Sequence, residues 1–332
     1  MALITVDKEA YEYNLNQIAS KAGGFDKVIC VLKDNAYGHG IELLAPITKA
    51  LGINFVAVRN ENEALFLQGF FKHILIFSHH PNGRENPDFI YALNSKNDLE
   101  KLKQGTRIHL AVDTGMHRNG VFIDELQEVF DKAKRYNIYI EGIFTHFASA
   151  GELVHTYLEQ KDLFEEAKRQ ALKLSSQRLL FHSHNSAALF GCDEFPSDEL
   201  CRVGLAQFGY NEFSKDLKKV LKLYAHRLSS RILEKGQSVG YGGVFMADED
   251  IKIATYDLGY ADGLLRYDGN GELKLASGEH LLGRMSMDSF SCKDLGEKIC
   301  VFEDAQIWAS FFNTIEYEIL VKLSPFIPRV LI

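Results

Sequence analysis

The feature that most constrains the fold is a regular alternation between the N-terminus and about residue 213. Short apolar runs, several rich in β-branched residues, alternate there with polar segments whose apolar residues recur at three-to-four spacing. The first pattern is typical of strands buried in a sheet and the second of surface helices. Repeated strand-helix units of this kind build a parallel sheet.

Eight strand candidates occur in this region, and eight parallel strands close a TIM-type barrel. They are 28–32, 55–58, 74–77, 89–93, 107–112, 138–144, 179–181 and 200–203. The predicted helices include 8–20, 61–69, 123–135 and 156–174. After Tyr210 the sequence changes to glycine-punctuated β-type runs at 221–233, 251–255, 273–275, 281–287 and 299–302. We therefore expect an α/β chain with a (β/α)8 barrel over 6–213, followed by a mostly β domain over 214–332 that also takes in 1–5.

Composition favours a small-molecule partner in the cytoplasm. The 332 residues carry a formal net charge of -8 and lack long basic blocks, which argues against a nucleic-acid surface. No apolar stretch is long enough to cross a bilayer, and the N-terminal region lacks a signal-peptide pattern. The five cysteines lack paired metal-type spacing, so neither a disulfide framework nor a metal site is expected.

One reactive amine stands at the end of the first predicted barrel strand. The run VLKDNAYGHG places Lys33 after the apolar strand and continues into a loop that contains Gly38 and Gly40. Chemistry in such barrels lies at the carboxyl ends of the strands, where a neutral lysine amine can form a Schiff base. By position alone, a solvated lysine is the more common case. Other polar residues follow the later strands, namely Asp113, Arg118, His146, His184, Asn185, Ser186 and Arg202. Their convergence predicts a site for an anionic ligand.

The VLKDNAYGHG run resembles the pyridoxal phosphate lysine signature of the alanine racemase family, and similar motifs recur over nearly the whole chain. The resemblance implies that Lys33 forms the Schiff base with pyridoxal 5'-phosphate. It also implies that Arg202 faces the pyridine nitrogen, which then stays unprotonated because arginine cannot accept a proton. The resemblance implies a phosphate cradle made of Tyr37, Asn185, Ser186, Gly204, Leu205 and Tyr317. Independently of this role, Ser186 is also a candidate helix N-cap.

A second base is needed, because racemisation removes the α-proton from one face and returns one on the other. The segment SVGYGG resembles the family segment with the catalytic tyrosine, which makes Tyr241 the partner of Lys33. Positive charge near a tyrosinate stabilises it, and the resemblance implies His146, next to Arg202, as the group that interacts with Tyr241. The resemblance further implies that Tyr260 narrows the entrance, and that Arg118, Met287 and Asp288 meet the substrate or the cofactor. It implies a homodimer whose β-domain residues complete the partner's site.

The sequence departs from the family pattern at the lysine that often precedes Asp-Thr-Gly by two residues, where this chain has Ala111. We expect a racemase for L- and D-alanine that supplies D-alanine for peptidoglycan. A broader-specificity racemase of the same fold and a non-catalytic pyridoxal phosphate protein remain alternatives. A decarboxylase is less favoured, because the acidic and cysteine segments that a diamine-forming enzyme needs are not found.

Overall fold

The computed structural model describes residues 1–151 and 155–332, and its first architectural element is a closed parallel barrel. After the N-terminal strand β1 (Leu3–Val6), eight strands pair in sequence order and the last returns to the first. They are β2 (Val28–Val31), β3 (Phe55–Val58), β4 (His73–Ile76), β5 (Ile90–Leu93), β6 (Arg107–Ala111), β7 (Tyr139–Phe144), β8 (Leu180–His182) and β9 (Glu199–Val203). The predicted barrel is confirmed, with strand ends within one or two residues of those expected.

Helices follow most of the barrel strands. The helix Lys8–Ala22 precedes the first barrel strand, and the helices after barrel strands are Ile41–Ala50, Glu61–Leu67, Leu126–Arg135, His155–Leu174 and Ser186–Gly191. The short strands are buried almost throughout, as continuous apolar runs in a parallel sheet should be. This burial explains why the barrel strands were readable from sequence.

The C-terminal part is mostly β, as predicted. Its larger strands are β10 (Leu221–Leu233), β13 (Ile251–Tyr256), β14 (Phe290–Lys293), β15 (Lys298–Phe302) and β16 (Arg329–Leu331). They form a sheet with the order β14-β13-β10-β1-β16, in which β15 also pairs with β10. A small hairpin pairs β11 (Ser238–Val239) with β12 (Phe245–Met246), and two helices cover Ala305–Phe311 and Glu316–Val321.

Two of the predicted C-terminal strands are wrong. Segments 273–275 and 281–287 form no strand, and make only the isolated bridges Lys274 to His280 and Leu281 to Cys292. Their apolar side chains Leu273, Leu275, Leu281 and Leu282 are nevertheless buried. Hydrophobic burial therefore produced a strand-like pattern where the backbone has few ladder partners.

The backbone divides into two compact units. The barrel unit contains Ala10–Asp34 and Leu44–Lys218, and the β unit contains Met1–Glu9, Asn35–Leu43 and Lys219–Ile332. The loop that follows Lys33 thus belongs to the β unit by its contacts, although it is encoded between two barrel strands. In the described part of the chain, the helices are too short or too polar to cross a membrane.

Candidate active site

Lys33 begins a left-handed turn just beyond the carboxyl end of β2. Asp34, Asn35, Ala36 and Tyr37 have φ values of 54°, 55°, 51° and 53°. A left-handed conformation costs an L-residue about 1–2 kcal/mol, and only the Asn and Asp types adopt it readily. Such strain persists where surrounding contacts enforce it, and it concentrates at functional sites.

His39 supplies part of that enforcement within the β unit. Its ring is fully buried, and Nδ1 lies 3.1 Å from the carbonyl oxygen of Ala36 and 3.0 Å from that of Tyr37. Burial lowers the pKa of His39 to about 3, so the ring is neutral. Because both partners are acceptors, Nδ1 carries the proton and donates. The Asn35 side chain also accepts from the Ile41 amide at 2.9 Å.

The two tyrosines predicted for the phosphate cradle lie together in the β unit. The ring centroids of Tyr37 and Tyr317 are 5.8 Å apart. Gly38 follows directly, and a Cβ there would fall 2.1 Å from the carbonyl oxygen of Leu320, so only glycine fits. The guanidinium of Arg329 donates to the Gly38 carbonyl at 2.8 Å, which ties the loop to the C-terminal strand. These contacts hold the loop that carries Tyr37 against the C-terminal segment that carries Tyr317.

Arg202 is a buried cation at the end of β9 in the barrel unit. Its Nη1 donates to Nδ1 and to the carbonyl oxygen of His182 at 2.8 and 2.6 Å. Its Nη2 lies 2.7 Å from the carbonyl oxygen of Thr145 and 3.2 Å from that of Ser183. Burial lowers the pKa of Arg202 to about 10, so it stays charged at neutral pH. These partners are neutral, so they orient the guanidinium and leave its positive charge in place.

His146 is held neutral beside this cation. Its Nδ1 lies 3.4 Å from Nη2 of Arg202. Burial, followed by the positive charges of Arg202, Arg118 and Lys33, lowers the pKa of His146 to about 3. The barrel therefore brings four of the predicted residues into one electrostatic group. A neutral imidazole there can donate or accept a hydrogen bond without adding charge.

Ser186 joins two backbone turns that present amide groups. Its hydroxyl accepts from the amides of Gly204 at 3.1 Å and Ala206 at 3.4 Å. The expected cap is one residue off, because Asn185 is the N-cap and its side chain accepts from the Ala188 amide. The correction leaves Ser186 at the first helical position, where its hydroxyl faces the turn that begins at Leu205. A hydroxyl and several amides together suit an oxyanion.

Arg118 is exposed on the loop after β6. The Asp113 carboxylate organises that loop by accepting from the amides of Gly115 and His117, both at 3.0 Å. Ala111, which stands at the family's lysine position, ends β6 and is buried. A methyl group there gives Arg118 no polar partner, so the loop itself has to present the guanidinium.

Tyr241 is at the tip of the β11–β12 hairpin in the β unit, and 65% of its surface is exposed. Two further segments of the β unit, one with Tyr260 and one with Met287, are joined by backbone hydrogen bonds. The amides of Tyr260 and Ala261 donate to the carbonyl oxygens of Ser286 and Met287 at 3.3 and 2.9 Å. The side chains of Tyr260, Met287 and Asp288 are exposed. The structure thus joins the two segments that the resemblance assigns to the entrance and the carboxylate contact.

Sequence reasoning missed His182 and misjudged His184. The predicted strand stopped at Phe181, whereas β8 includes His182, and its ring holds Arg202. His184 was placed on the rim, but its ring is buried between Phe147 and Phe195. The two histidines differ because β8 ends at His182, so that His184 lies beyond the strand in the turn before the next helix.

Two family models match this chain. The one described as "Alanine racemase, N-terminal domain" matches residues 6–212, and "Alanine racemase, C-terminal domain" matches residues 220–331. The chain belongs to the alanine racemase family. Alanine racemase from Campylobacter jejuni strain 81-176 is 59% identical over 332 residues and covers 100% of both chains. Alanine racemase from Campylobacter curvus is 53% identical over 335 residues, covering 99% of each.

Solved alanine racemases share the fold over the whole chain. The structure from Bacillus anthracis with bound L-Ala-P has a TM-score of 0.90 at 26% identity, covering 100% of this chain and 95% of that one. The structure from Bartonella henselae with covalently bound pyridoxal phosphate has a TM-score of 0.84 at 26% identity, covering 100% and 99%. By this relationship the chain is an isomerase of the alanine racemase type, which interconverts L- and D-alanine.

Proposed function

We propose that this chain racemises alanine with pyridoxal 5'-phosphate and two opposed bases, Lys33 and Tyr241. The observation that carries the proposal is the buried Arg202 guanidinium, oriented by neutral acceptors beside the neutral His146, whose pKa the charges of Arg202 and Lys33 both lower. A fixed cation and a lysine that both follow barrel strands suit a phosphorylated aldehyde cofactor.

The residues present fit the cofactor chemically. The Ser186 hydroxyl, which accepts from the Gly204 amide, and the Leu205 amide offer donors to a phosphate, and the paired phenols of Tyr37 and Tyr317 offer two more. Asn185 caps the same turn. Lys33 is the amine that would anchor the aldehyde. A ring nitrogen facing Arg202 would stay unprotonated, since the guanidinium only donates. When bound, pyridoxal phosphate withdraws electrons from the α-carbon of the substrate and so acidifies its proton.

Lys33 and Tyr241 divide the proton transfers. The Lys33 amine removes or returns the proton on one face of the α-carbon, and the Tyr241 phenol oxygen acts on the other face. A neutral His146 can exchange a hydrogen bond with that phenol while Arg202 supplies the positive charge that stabilises a phenolate. Arg118 and the Met287 amide receive the carboxylate of the substrate, Asp288 adjoins them, and Tyr260 restricts the side chain to a methyl group.

We propose that the active assembly is a homodimer in which the β unit of one protomer completes the barrel site of its partner. Exposed apolar side chains of the β unit support this, because exposed apolar surface marks association sites when it is contiguous. They include Leu228, Ile232, Tyr241, Met246 and Met287, each more than half exposed in the single chain. The domain boundary is proposed near residues 213–214. We further propose that the enzyme acts in the cytoplasm and supplies D-alanine for peptidoglycan.

The direct test uses the purified protein before and after removal of its cofactor. The holoenzyme should convert L-alanine to D-alanine, lose activity on cofactor removal and regain it with added pyridoxal phosphate. Borohydride treatment followed by mass spectrometry should locate the cofactor on Lys33. A colourless protein that borohydride does not modify would exclude the cofactor.

The same assay separates the alternative functions. A panel of larger amino acids distinguishes an alanine racemase from a broader-specificity racemase, since Tyr260 should exclude long side chains. A protein that binds the cofactor without racemising any member of the panel would be a non-catalytic carrier. Lys33→Ala serves as the matched control because it removes the amine that anchors the cofactor.

A further inference from the structure

The side chains of Arg202, His182 and His109 form a buried chain of hydrogen bonds inside the barrel unit. Nη1 of Arg202 lies 2.8 Å from Nδ1 of His182 on β8, and Nε2 of His182 lies 2.6 Å from Nδ1 of His109 on β6. All three side chains are buried, and both histidines are wholly inaccessible to solvent. His109 is therefore connected to the fixed cation of the site through one intermediate ring.

The hydrogen bonds leave only one arrangement of protons along this line. A guanidinium can only donate, so Nδ1 of His182 accepts and its proton is on Nε2. That Nε2–H then donates to Nδ1 of His109. Burial and the charge of Arg202 hold the pKa of His182 well below its usual range, which excludes a doubly protonated ring. His109 must accordingly carry its own proton on Nε2.

This arrangement leaves His109 with an unsatisfied group. Its Nε2 is buried and has no hydrogen-bond partner among residues 1–151 and 155–332. An unsatisfied buried donor costs about 1–3 kcal/mol, which an apolar residue of similar size would avoid. The ring also contacts Phe55 edge-to-face, with centroids 5.7 Å apart, as a purely apolar side chain could. Stability alone therefore does not explain a histidine at this position.

The neighbouring strand makes room for the ring. A Cβ on Gly142 of β7 would lie 2.8 Å from Cε1 and 2.9 Å from Nδ1 of His109, and also 2.8 Å from the carbonyl oxygen of Leu180. Glycine in a strand interior weakens the strand and often marks a place where another group approaches closely. Gly142 therefore leaves space for both the His109 ring and the Leu180 carbonyl oxygen. The unsatisfied Nε2 of His109 is the observation that points to the contact between His109 and His182.

We propose that His109 is a positioning residue for the reaction, which fixes the tautomer and orientation of His182 and thereby the guanidinium of Arg202. The role rests on the proposed function, in which Arg202 faces the cofactor ring. His182 stacks on Phe144 with centroids 5.0 Å apart and planes 5° apart, so its ring plane is already set. Stacking still allows the His182 ring to flip by 180° within its plane. The hydrogen bond from Nε2 of His182 to Nδ1 of His109 prevents that flip.

Two substitutions separate positioning from packing. In His109→Asn the amide oxygen can occupy the place of Nδ1 and accept from His182, whereas His109→Leu fills the space without an acceptor. Ile108→Ala, at a buried position one residue away on β6, is the control for lost stability. Nitrogen-15 NMR of histidine-labelled, cofactor-free protein reports the tautomer of His182. Turnover and the absorption spectrum of the holoenzyme show whether Arg202 is still correctly placed at the active site.

We expect a single Nε2-protonated His182 in the wild-type protein and in His109→Asn, and a mixture of states in His109→Leu. Turnover in His109→Leu should fall roughly tenfold to a hundredfold, as small misplacements at a site do, with an altered cofactor absorption band. His109→Asn should retain most of the turnover, and Ile108→Ala should lose stability with an unchanged spectrum. A His182 protonated on Nδ1, or wild-type turnover and spectrum in His109→Leu, would overturn the proposal. A wild-type protein that failed to racemise alanine would instead refute the proposed function, while the NMR result would stand.

Discussion

Arg202 and His146 form a cation–neutral pair, with Nη2 of the guanidinium 3.4 Å from Nδ1 of the imidazole. The guanidinium keeps its charge because the carbonyl oxygens and imidazoles around it are neutral acceptors. The imidazole stays neutral because burial and that charge oppose its protonation. One fixed positive charge and one neutral donor or acceptor are therefore set side by side at the barrel rim.

The buried histidines predict how stability depends on pH. The pKa values of His39, His109 and His146 are each lowered to about 3, mainly by burial, whereas unfolded histidine titrates near 6.5. Between these values the unfolded chain binds more protons, so stability falls as the pH falls from about 6.5 toward 3. Each histidine contributes a slope of about 1.4 kcal/mol per pH unit. The difference between the free energies of unfolding at pH 7.5 and pH 5, obtained from denaturant titrations, measures this dependence.

A matched pair of variants checks this assignment. His109→Leu should remove one buried histidine from the linkage and make stability less dependent on pH over the same interval. Ile108→Ala serves as the control, since it removes a buried apolar group and no titratable one, and should leave the pH dependence unchanged. Equal pH dependence in His109→Leu and the wild-type protein would contradict the linkage argument.

His39 should be needed for the left-handed turn after Lys33. In His39→Leu the Nδ1–H bonds to the carbonyl oxygens of Ala36 and Tyr37 are lost. Leaving buried acceptors unpaired should lower the free energy of unfolding by about 1–3 kcal/mol and weaken cofactor binding. His39→Asn keeps a side-chain donor and should lose less of both. A folded His39→Leu with wild-type cofactor affinity would show that the turn holds its shape without the imidazole.

Ser186 should contribute to phosphate binding specifically. Ser186→Ala removes the hydroxyl next to the amides of Gly204 and Ala206. A hydrogen bond to a charged group contributes about 1.5–3 kcal/mol, so the Kd for pyridoxal phosphate should rise roughly tenfold to a hundredfold. Pyridoxal, which lacks the phosphate, is the matched ligand and should bind both proteins equally. An equal loss for both ligands would remove Ser186 from the cradle.

The barrel could be predicted from sequence because its strands are continuous apolar runs that the fold buries on both faces. The left-handed turn at residues 34–37 could not, since Ala36 and Tyr37 are residue types that rarely adopt positive φ, and the turn depends on the burial of the His39 ring that donates to it. His182 escaped notice for a similar reason. Its role is visible only once Arg202 and the neighbouring strand are in place. Local pattern thus predicts the elements, and long-range polar contacts decide the site.

The proposed shared sites predict complementation between inactive variants. Lys33→Ala and Tyr241→Phe should each be nearly inactive alone. If each site takes Lys33 from one protomer and Tyr241 from its partner, a mixed dimer has one site with both residues intact. Random reassortment should then restore about a quarter of the wild-type activity. Mixed dimers confirmed by mass spectrometry but without recovered activity would contradict the shared site.

The most direct test of the two-base account is α-proton exchange by Tyr241→Phe in deuterated water. The variant should bind the cofactor as the wild-type protein does, and its racemisation should slow by about 10²–10⁴-fold, the usual contribution of one proton-transfer group. Lys33 remains in place, so deuterium should still enter one enantiomer of alanine with retention of configuration. The other enantiomer should exchange no deuterium. Racemisation and deuterium entry at wild-type rates from both enantiomers would show that Tyr241 is not the second base.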